Sequence, residues 1–462
     1  MKIHRKINTW AFVIIAIGIG LRFMLYWFTD ASIAFDNHYE PIKLWLDSGT
    51  KPGADQCFEC YQPPLYYFIF WLLSKTLLAL GILWEQQLKV LQFFHLLIGC
   101  ATLVYAWKFV NRLKVSSRAK YASLAILVFL PRHIYMSVMF SNDSLMYLLM
   151  LMSLYYLLRW LGEKKQWDVV LASLLISCLV LSKGNGLVIL PVVGLMIVGD
   201  IIKERKLSIG LKRGFVFLII PFFVFSVYTW KKYQELGNPF KMNIEILNFP
   251  LNQQPGTKLD YFSFKPWTFV QTPTLTEDNI NSFFTVVYAR MWVEGEPKYS
   301  VYFDEEQNAT FWFLQNQWLN KVEGNDTLDS NLLNRHYRVV NGALVAVGLL
   351  FLGILLLGVW KQVIESFKSV DHNSILTWML LTLMVGTTAG IVLMTSNYPF
   401  YSFIKASFFL GCIPAFIYFT AYGFQSLNQI RWAKPLSLFF LLLLGTLVSY
   451  EITLFVGGVV AV

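Results

Sequence analysis

Apolar runs of about 20 residues alternate with short charged turns along most of the chain. As a helix, such a run crosses a hydrocarbon core of about 30 Å. The runs predict spans at roughly 9–29, 86–108, 119–139, 144–161, 167–182, 186–202, 214–232, 339–360, 374–395, 402–424 and 435–455. The fold class that follows is an all-α polytopic membrane protein of about eleven transmembrane helices. The first run is long and ends in Tyr26, Trp27 and Phe28, an aromatic belt, so it reads as a retained span and not a cleaved leader.

Basic residues order the spans. Lys108, Arg112, Lys114, Arg118 and Lys120 share one turn; Arg159, Lys164 and Lys165 share the next. Lys203, Arg205, Lys206, Lys212 and Arg213 follow, then Lys361 and Lys368, and finally Arg431 and Lys434. Under the positive-inside rule all of these turns face the cytoplasm, with the N-terminus inside and the C-terminus outside. The apolar segment from Pro63 to about Leu83 would invert every later turn if it crossed. It is therefore expected to lie at the outer interface or to dip in and return, with Ser74, Lys75, Tyr66 and Tyr67 at the interface.

The chain then divides into an N-terminal transmembrane module, 1–233, carrying a first outer loop at 30–85; an outer region, 234–338; and C-terminal transmembrane helices, 339–462. The middle region holds 13 Asp and Glu against 8 Lys and Arg and is rich in aromatic residues, so it is expected to pack on the outer membrane face.

Composition agrees with this picture. Of 462 residues, 56% are hydrophobic and 14% charged, against about 25% charged in soluble domains. The net charge of +10 is spread over turns next to apolar runs, which excludes nucleic acid as the partner it serves.

Several polar residues stand on the outer side. Asp36 lies just beyond the first span; it could cap a helix from Tyr39 to Leu46 or serve as a functional carboxylate. Asp143, in the short turn "SND", carries the same two readings. Lys183 in "LSKGNG" and Lys405 in "YSFIKASFF" are either snorkelling helix-end residues or anion ligands. Arg290, Arg335, His336 and Arg338 run against the charge rule and point to an anionic ligand. Cys57 and Cys60 form a CxxC outside the cytoplasm, where a disulfide is the natural reading. His38 raises the question of zinc, but no second ligand pair is present.

The order of these features resembles the GT-C superfamily of integral membrane glycosyltransferases. The features are an acid after the first span, "QPPLYY", "SND", "LSKGNG" followed by "LP", and a late "IKASFFLGCIPAF". The nearest likeness is to family-39-like enzymes that include protein mannosyltransferases and aminoarabinose transferases. The resemblance implies an enzyme of a bacterial cytoplasmic membrane whose active site faces outward. It would move a sugar with inversion from a polyprenyl-phosphate donor to a hydroxyl of a lipid, glycan or protein. Asp36 would be the general base, with Asp143 as a second catalytic acid. Lys183, Lys405, Arg290 and Arg338 would hold the donor phosphate. His38, Tyr39, Gln62 and Tyr66 would line the substrate pocket. Gln62 and Asn37 depart from the His and Glu common in relatives, so a divalent metal is neither required nor excluded. A transporter of a lipid-linked sugar and a non-catalytic assembly subunit are the competing readings. The transporter predicts repeated halves, and none is seen.

Overall fold

The computed structural model describes residues 9–29, 31, 38–205, 207–247, 262–267, 282–293, 299–303, 309–313, 330–397, 405–430 and 433–460. The chain is a polytopic helical membrane protein. Its helices are α1 (Thr9–Phe28), α2 (Glu40–Ser48), α3 (Leu65–Ala79), α4 (Trp84–Asn111), α5 (Ser117–Val128), α6 (Pro131–Met136), α7 (Asn142–Glu163), α8 (Gln166–Ser182), α9 (Ile189–Glu204) and α10 (Leu207–Leu236). There follow α11 (Asn243–Ile246), α12 (Phe283–Trp292), α13 (Ser330–Ser366), α14 (His372–Asn397), α15 (Ile413–Leu427) and α16 (Ala433–Val460). Short 3-10 turns at Gly184–Val188 and Ala406–Cys412 lead into α9 and α15. One two-stranded antiparallel hairpin, Tyr299–Phe303 with Ala309–Phe313, is the sole sheet among the described residues.

Eight of the helical segments are long and apolar enough to cross a membrane, while Leu65–Ala79, Gln166–Ser182 and Leu438–Thr453 are shorter apolar helices. At 15 residues, α3 rises about 22 Å, short of a hydrocarbon core of about 30 Å. It packs against α2 and α4 through Tyr66, Tyr67, Phe70, Ser74 and Leu77, a face of three- and four-residue spacing.

The predicted span 119–139 is not one helix. It breaks at Leu130, whose backbone is extended (φ −72°, ψ 111°), and restarts with Pro131 at the first turn of α6. Proline has no N–H and forces its predecessor out of the helical region. The break lies in the centre of the protein: residues 122–128 and 130–136 are all buried. It is bridged by Arg22 of α1, which is fully buried. Its guanidinium donates to the carbonyls of Gly18 and Val128 (2.9 and 3.1 Å) and to Ser137 Oγ (3.2 Å), and it meets His133 Nδ1 at 2.7 Å. A charge inside an apolar bundle is expected to be paired in this manner.

Helices α13 and α15 cross with their backbones in contact. A Cβ at Gly358 would stand 1.8 Å from the Phe419 carbonyl oxygen, and one at Gly423 2.1 Å from that of Ile354. Small residues allow such crossings in membranes. The basic turns gather at one end of the bundle, where Arg112 pairs with Glu163, Arg159 with Asp168, and Lys164 and Arg213 with Asp200. The turns before α7 and after α8 lie at the other end.

Candidate functional site

At that second end the walls of α7, α9, α10, α14 and the 406–412 turn enclose a cavity of about 820 Å3, closed on one side by the first loop. Most of its wall is apolar: Met146, Met150, Leu187, Val188, Phe225, Ile391 and Met394 face it. Beside Tyr61, Asn185, Tyr228, Thr229, Asn243 and Thr387, its charged groups are few. Lys183 and Lys405 stand on one side, Lys232 and Lys241 on another, and His38, Glu59 and Gln62 come from the first loop. Apolar walls with a small set of converging polar groups are the usual composition of a ligand site.

Lys183 is placed by the end of α8. There the chain leaves the helix in an extended conformation (φ −155°, ψ 143°) before the Gly184–Val188 turn. Its Nζ lies 2.8 Å from Asp143 Oδ1 and 5.1 Å from the ring centre of Phe408. Both side chains of the pair are buried, 7% and 1% exposed. Asp143 is not the helix cap: Ser141 is, with its Oγ accepting from the Asp143 N–H at 3.2 Å. Asn142 adds a tie across to α8 by donating to the Ser182 carbonyl at 3.3 Å. The two predicted site residues Asp143 and Lys183 are thus brought together. Asp143 supports Lys183 from behind; it is not among the residues facing the cavity. Lys405 precedes the 406–412 turn, three residues from Phe408, and lines the same cavity as Lys183.

The first loop is joined to the rest by many contacts. A disulfide links Cys57 and Cys60, as the CxxC suggested. The Ala54 N–H donates to Glu235 Oε1 at 2.9 Å, tying the loop to the end of α10. His38 is buried, with Nδ1 2.7 Å from Tyr67 Oη and 4.0 Å from Glu59 Oε2. Gln62 Nε2 donates to Glu59 Oε2 at 3.1 Å and to Tyr61 Oη at 3.0 Å. On the same wall, Lys232 Nζ lies 5.4 Å from the Tyr61 ring centre.

Other sequence candidates fall elsewhere. Tyr66 faces the core, not the cavity: it is fully buried and bonded to His95 Nε2 at 2.8 Å. Its ring stands edge-on to His38, 6.0 Å between ring centres, but it is the hydroxyl of Tyr67, one residue or about 100° further round the helix, that bonds His38. Tyr39 packs on Phe140 (ring centres 6.3 Å apart) and does not line the cavity. Arg290 is buried in α12, which packs on the 406–412 turn, and is likewise absent from the cavity wall. Arg338 falls within α13, but its side chain, like Asp36 altogether, lies outside the described residues. Among the described residues no group of three or more His, Cys, Asp or Glu could hold a metal ion.

Glu59, Lys232 and Lys241 were not anticipated. Lys232 and Lys241 carried a signal: they are basic residues at the end predicted to lie outside, against the charge rule. Glu59, between the two cysteines of a polar loop, carried none.

The sequence pattern of the family described as dolichyl-phosphate-mannose-protein mannosyltransferase matches residues 85–236. That stretch holds Asp143, Lys183 and Lys232, and leaves out the first loop and Lys405. No curated protein matches the chain in sequence. Among solved structures, the oligosaccharyltransferase of Archaeoglobus fulgidus, a complex with zinc and sulfate, aligns over 95% of this chain and 53% of its own, at 11% identity and a TM-score of 0.51. This chain therefore spans about half the length of that protein. ArnT from Cupriavidus metallidurans bound to undecaprenyl phosphate aligns over 91% of this chain and 79% of its own, at 13% identity and a TM-score of 0.39. The likeness to the GT-C superfamily carried by the motifs is found again in the family pattern and in the fold.

Proposed function

We propose that the protein transfers a sugar from a polyprenyl-phosphate donor to an acceptor hydroxyl, at the membrane face opposite the basic turns. The observation that carries this reading is the cavity itself. It joins a largely apolar wall, suited to a prenyl chain, to lysines placed for a phosphate, Lys183 and Lys405. Phosphate leaves as an anion, so the chemistry asks for cationic stabilisation of the leaving group more than for a strong general acid. The donor lipid enters between helices, its phosphate reaches Lys183 and Lys405, and its sugar extends toward the first loop.

Asp36 is the proposed general base. It takes the proton of the attacking hydroxyl as the anomeric carbon inverts. Asp143 is assigned a positioning role: paired at 2.8 Å, it holds the Lys183 ammonium at the cavity wall. The basic turns at the other end support a cytoplasmic location there by the positive-inside rule; the proposed place of the cavity is the outer side of a bacterial cytoplasmic membrane. The acceptor is a lipid, glycan or protein hydroxyl. A transporter would gather its polar groups at mid-membrane, whereas here they converge at one end of the bundle.

The test is Asp36→Asn in protein reconstituted with undecaprenyl-phosphate sugars. The variant is expected to insert, fold and bind undecaprenyl phosphate as the parent does, with transfer reduced by about 100-fold or more. Undiminished transfer removes Asp36 from its role. Failure of the parent to bind undecaprenyl phosphate removes the whole reading.

A further inference from the structure

We infer that Glu59 and Gln62 form the subsite for the donor's sugar, with Glu59 as the carboxylate that recognises a neutral, polyhydroxylated ring. The inference rests on the donor reading above. Glu59 is a carboxylate only 6% exposed, on the wall of a largely apolar cavity. Burying an acid there carries a desolvation cost that its neighbours must meet. The loop is nonetheless built to hold it. The Cys57–Cys60 disulfide brackets it, the Cys60 N–H bonds the Cys57 carbonyl, and the Gln62 N–H bonds the Glu59 carbonyl, each at 3.2 Å. The Gln62 amide then fixes the carboxylate from the side at 3.1 Å.

The chemistry separates two ends of one ligand. A phosphate is repelled by Glu59 and drawn to Lys183 and Lys405. A sugar is the opposite case: its hydroxyls donate to a carboxylate and accept from an amide. Its C–H face packs on aromatic rings, and Phe58 and Tyr61 line the same wall. Lys232 stands beside Tyr61 on that wall, 5.4 Å from its ring centre, and His38 Nδ1 lies 4.0 Å from Glu59 Oε2. The donor is thereby oriented with its phosphate at Lys183 and its sugar at the disulfide loop.

The experiment compares bare undecaprenyl phosphate with its glucosyl, mannosyl, N-acetylglucosaminyl and arabinosyl derivatives, binding each to purified full-length protein in nanodiscs. The parent is expected to bind at least one derivative more tightly than the bare lipid. Glu59→Gln keeps the shape of the side chain. It should weaken that derivative roughly 10- to 100-fold, the worth of one or two hydrogen bonds to a charged acceptor, and leave the bare lipid within about twofold. Lys183→Met should weaken bare and glycosylated lipids alike. Several results overturn the inference: a parent that prefers no derivative, a Glu59→Gln variant that keeps the preference, or one that loses both lipids equally. A variant that binds normally but no longer turns over overturns it too, because Glu59 would then serve the chemistry and not recognition. If the parent binds no undecaprenyl phosphate at all, the donor reading fails first and the subsite falls with it.

Discussion

Replacing Asp143 by Asn should weaken the fold and tighten the phosphate site at the same time. The Asp143–Lys183 pair is buried on both sides, with an oxygen–nitrogen distance of 2.8 Å. Removing one member of such a pair leaves an uncompensated buried charge and typically costs about 3–5 kcal/mol. The same change removes a negative charge from behind the phosphate. A phosphate oxygen bonded to Lys183 at about 2.8 Å stands about 5.5 Å from the Asp143 carboxylate. At an effective dielectric constant of about 20, two unit charges at that distance repel by about 3 kcal/mol. Local relaxation and mobile ions take part of this, so undecaprenyl phosphate should bind about tenfold more tightly to Asp143→Asn at low salt, by about 1.4 kcal/mol. The gain should shrink as salt is raised.

Two measurements check this: denaturant unfolding followed by tryptophan fluorescence, and lipid titration of the folded protein. The double variant Asp143→Leu, Lys183→Met should recover much of the stability and lose the phosphate, because an apolar pair of similar volume carries no desolvation cost. Unchanged stability in Asp143→Asn refutes the buried pair. Weaker lipid binding in that variant refutes the repulsion argument, and undiminished binding in Lys183→Met refutes Lys183 as the phosphate ligand.

Arg22→Met should lower the unfolding free energy by about 3 kcal/mol, since it leaves the Val128 carbonyl, His133 and Ser137 without their shared donor; an unchanged denaturation midpoint counts against the bridge. Gly390 lines the cavity, and a Cβ there meets nothing within 4 Å. Gly390→Leu should therefore fold with the parent's stability yet bind undecaprenyl phosphate at least about tenfold more weakly by filling the space, and equal binding in titration would show that the lipid lies elsewhere.

The helical segments were readable because two independent signals agree on them, apolar length and the basic turns between. Where one signal was silent, the reading slipped. The run 119–139 is apolar throughout, and hydropathy cannot see that Pro131 deletes one backbone donor and bends its neighbour out of the helix. The same smoothing hid Arg22, one charge within a strongly apolar first run. At the site, Asp143 and Lys183 were identified separately as candidates, but their contact depends on how α7 and α8 pack. Tyr66 and Tyr67 show the finest limit: a turn of about 100° per residue decides which phenol hydroxyl bonds His38 and which bonds His95, and alternation along a continuous apolar helix does not encode it. Glu59 was obscured because a polar loop hides an acid that only tertiary contacts bury.

The cavity exists because several elements at this end decline to fill it. The turn before α9 carries Gly184, α14 presents Gly386 and Gly390, and the 406–412 turn presents Gly411, where a Cβ would come 3.4 Å from Met146 Sδ. Missing side chains open the space, and the α8 end supplies Lys183 at its rim. The α5–α6 break, bridged by Arg22, carries the chain to Ser141, which caps α7 and so sets the direction of Asp143. The disulfide loop then closes the remaining side with Glu59. Each of these features costs stability where it sits: a broken helix, buried charges, unfilled volume, a buried acid. A bundle built only to persist in a membrane would fill this end with apolar side chains. That three of them, the Lys183 pair, the unfilled volume and the buried Glu59, meet at one cavity is the reason to read the end as a site and the rest of the bundle as its support.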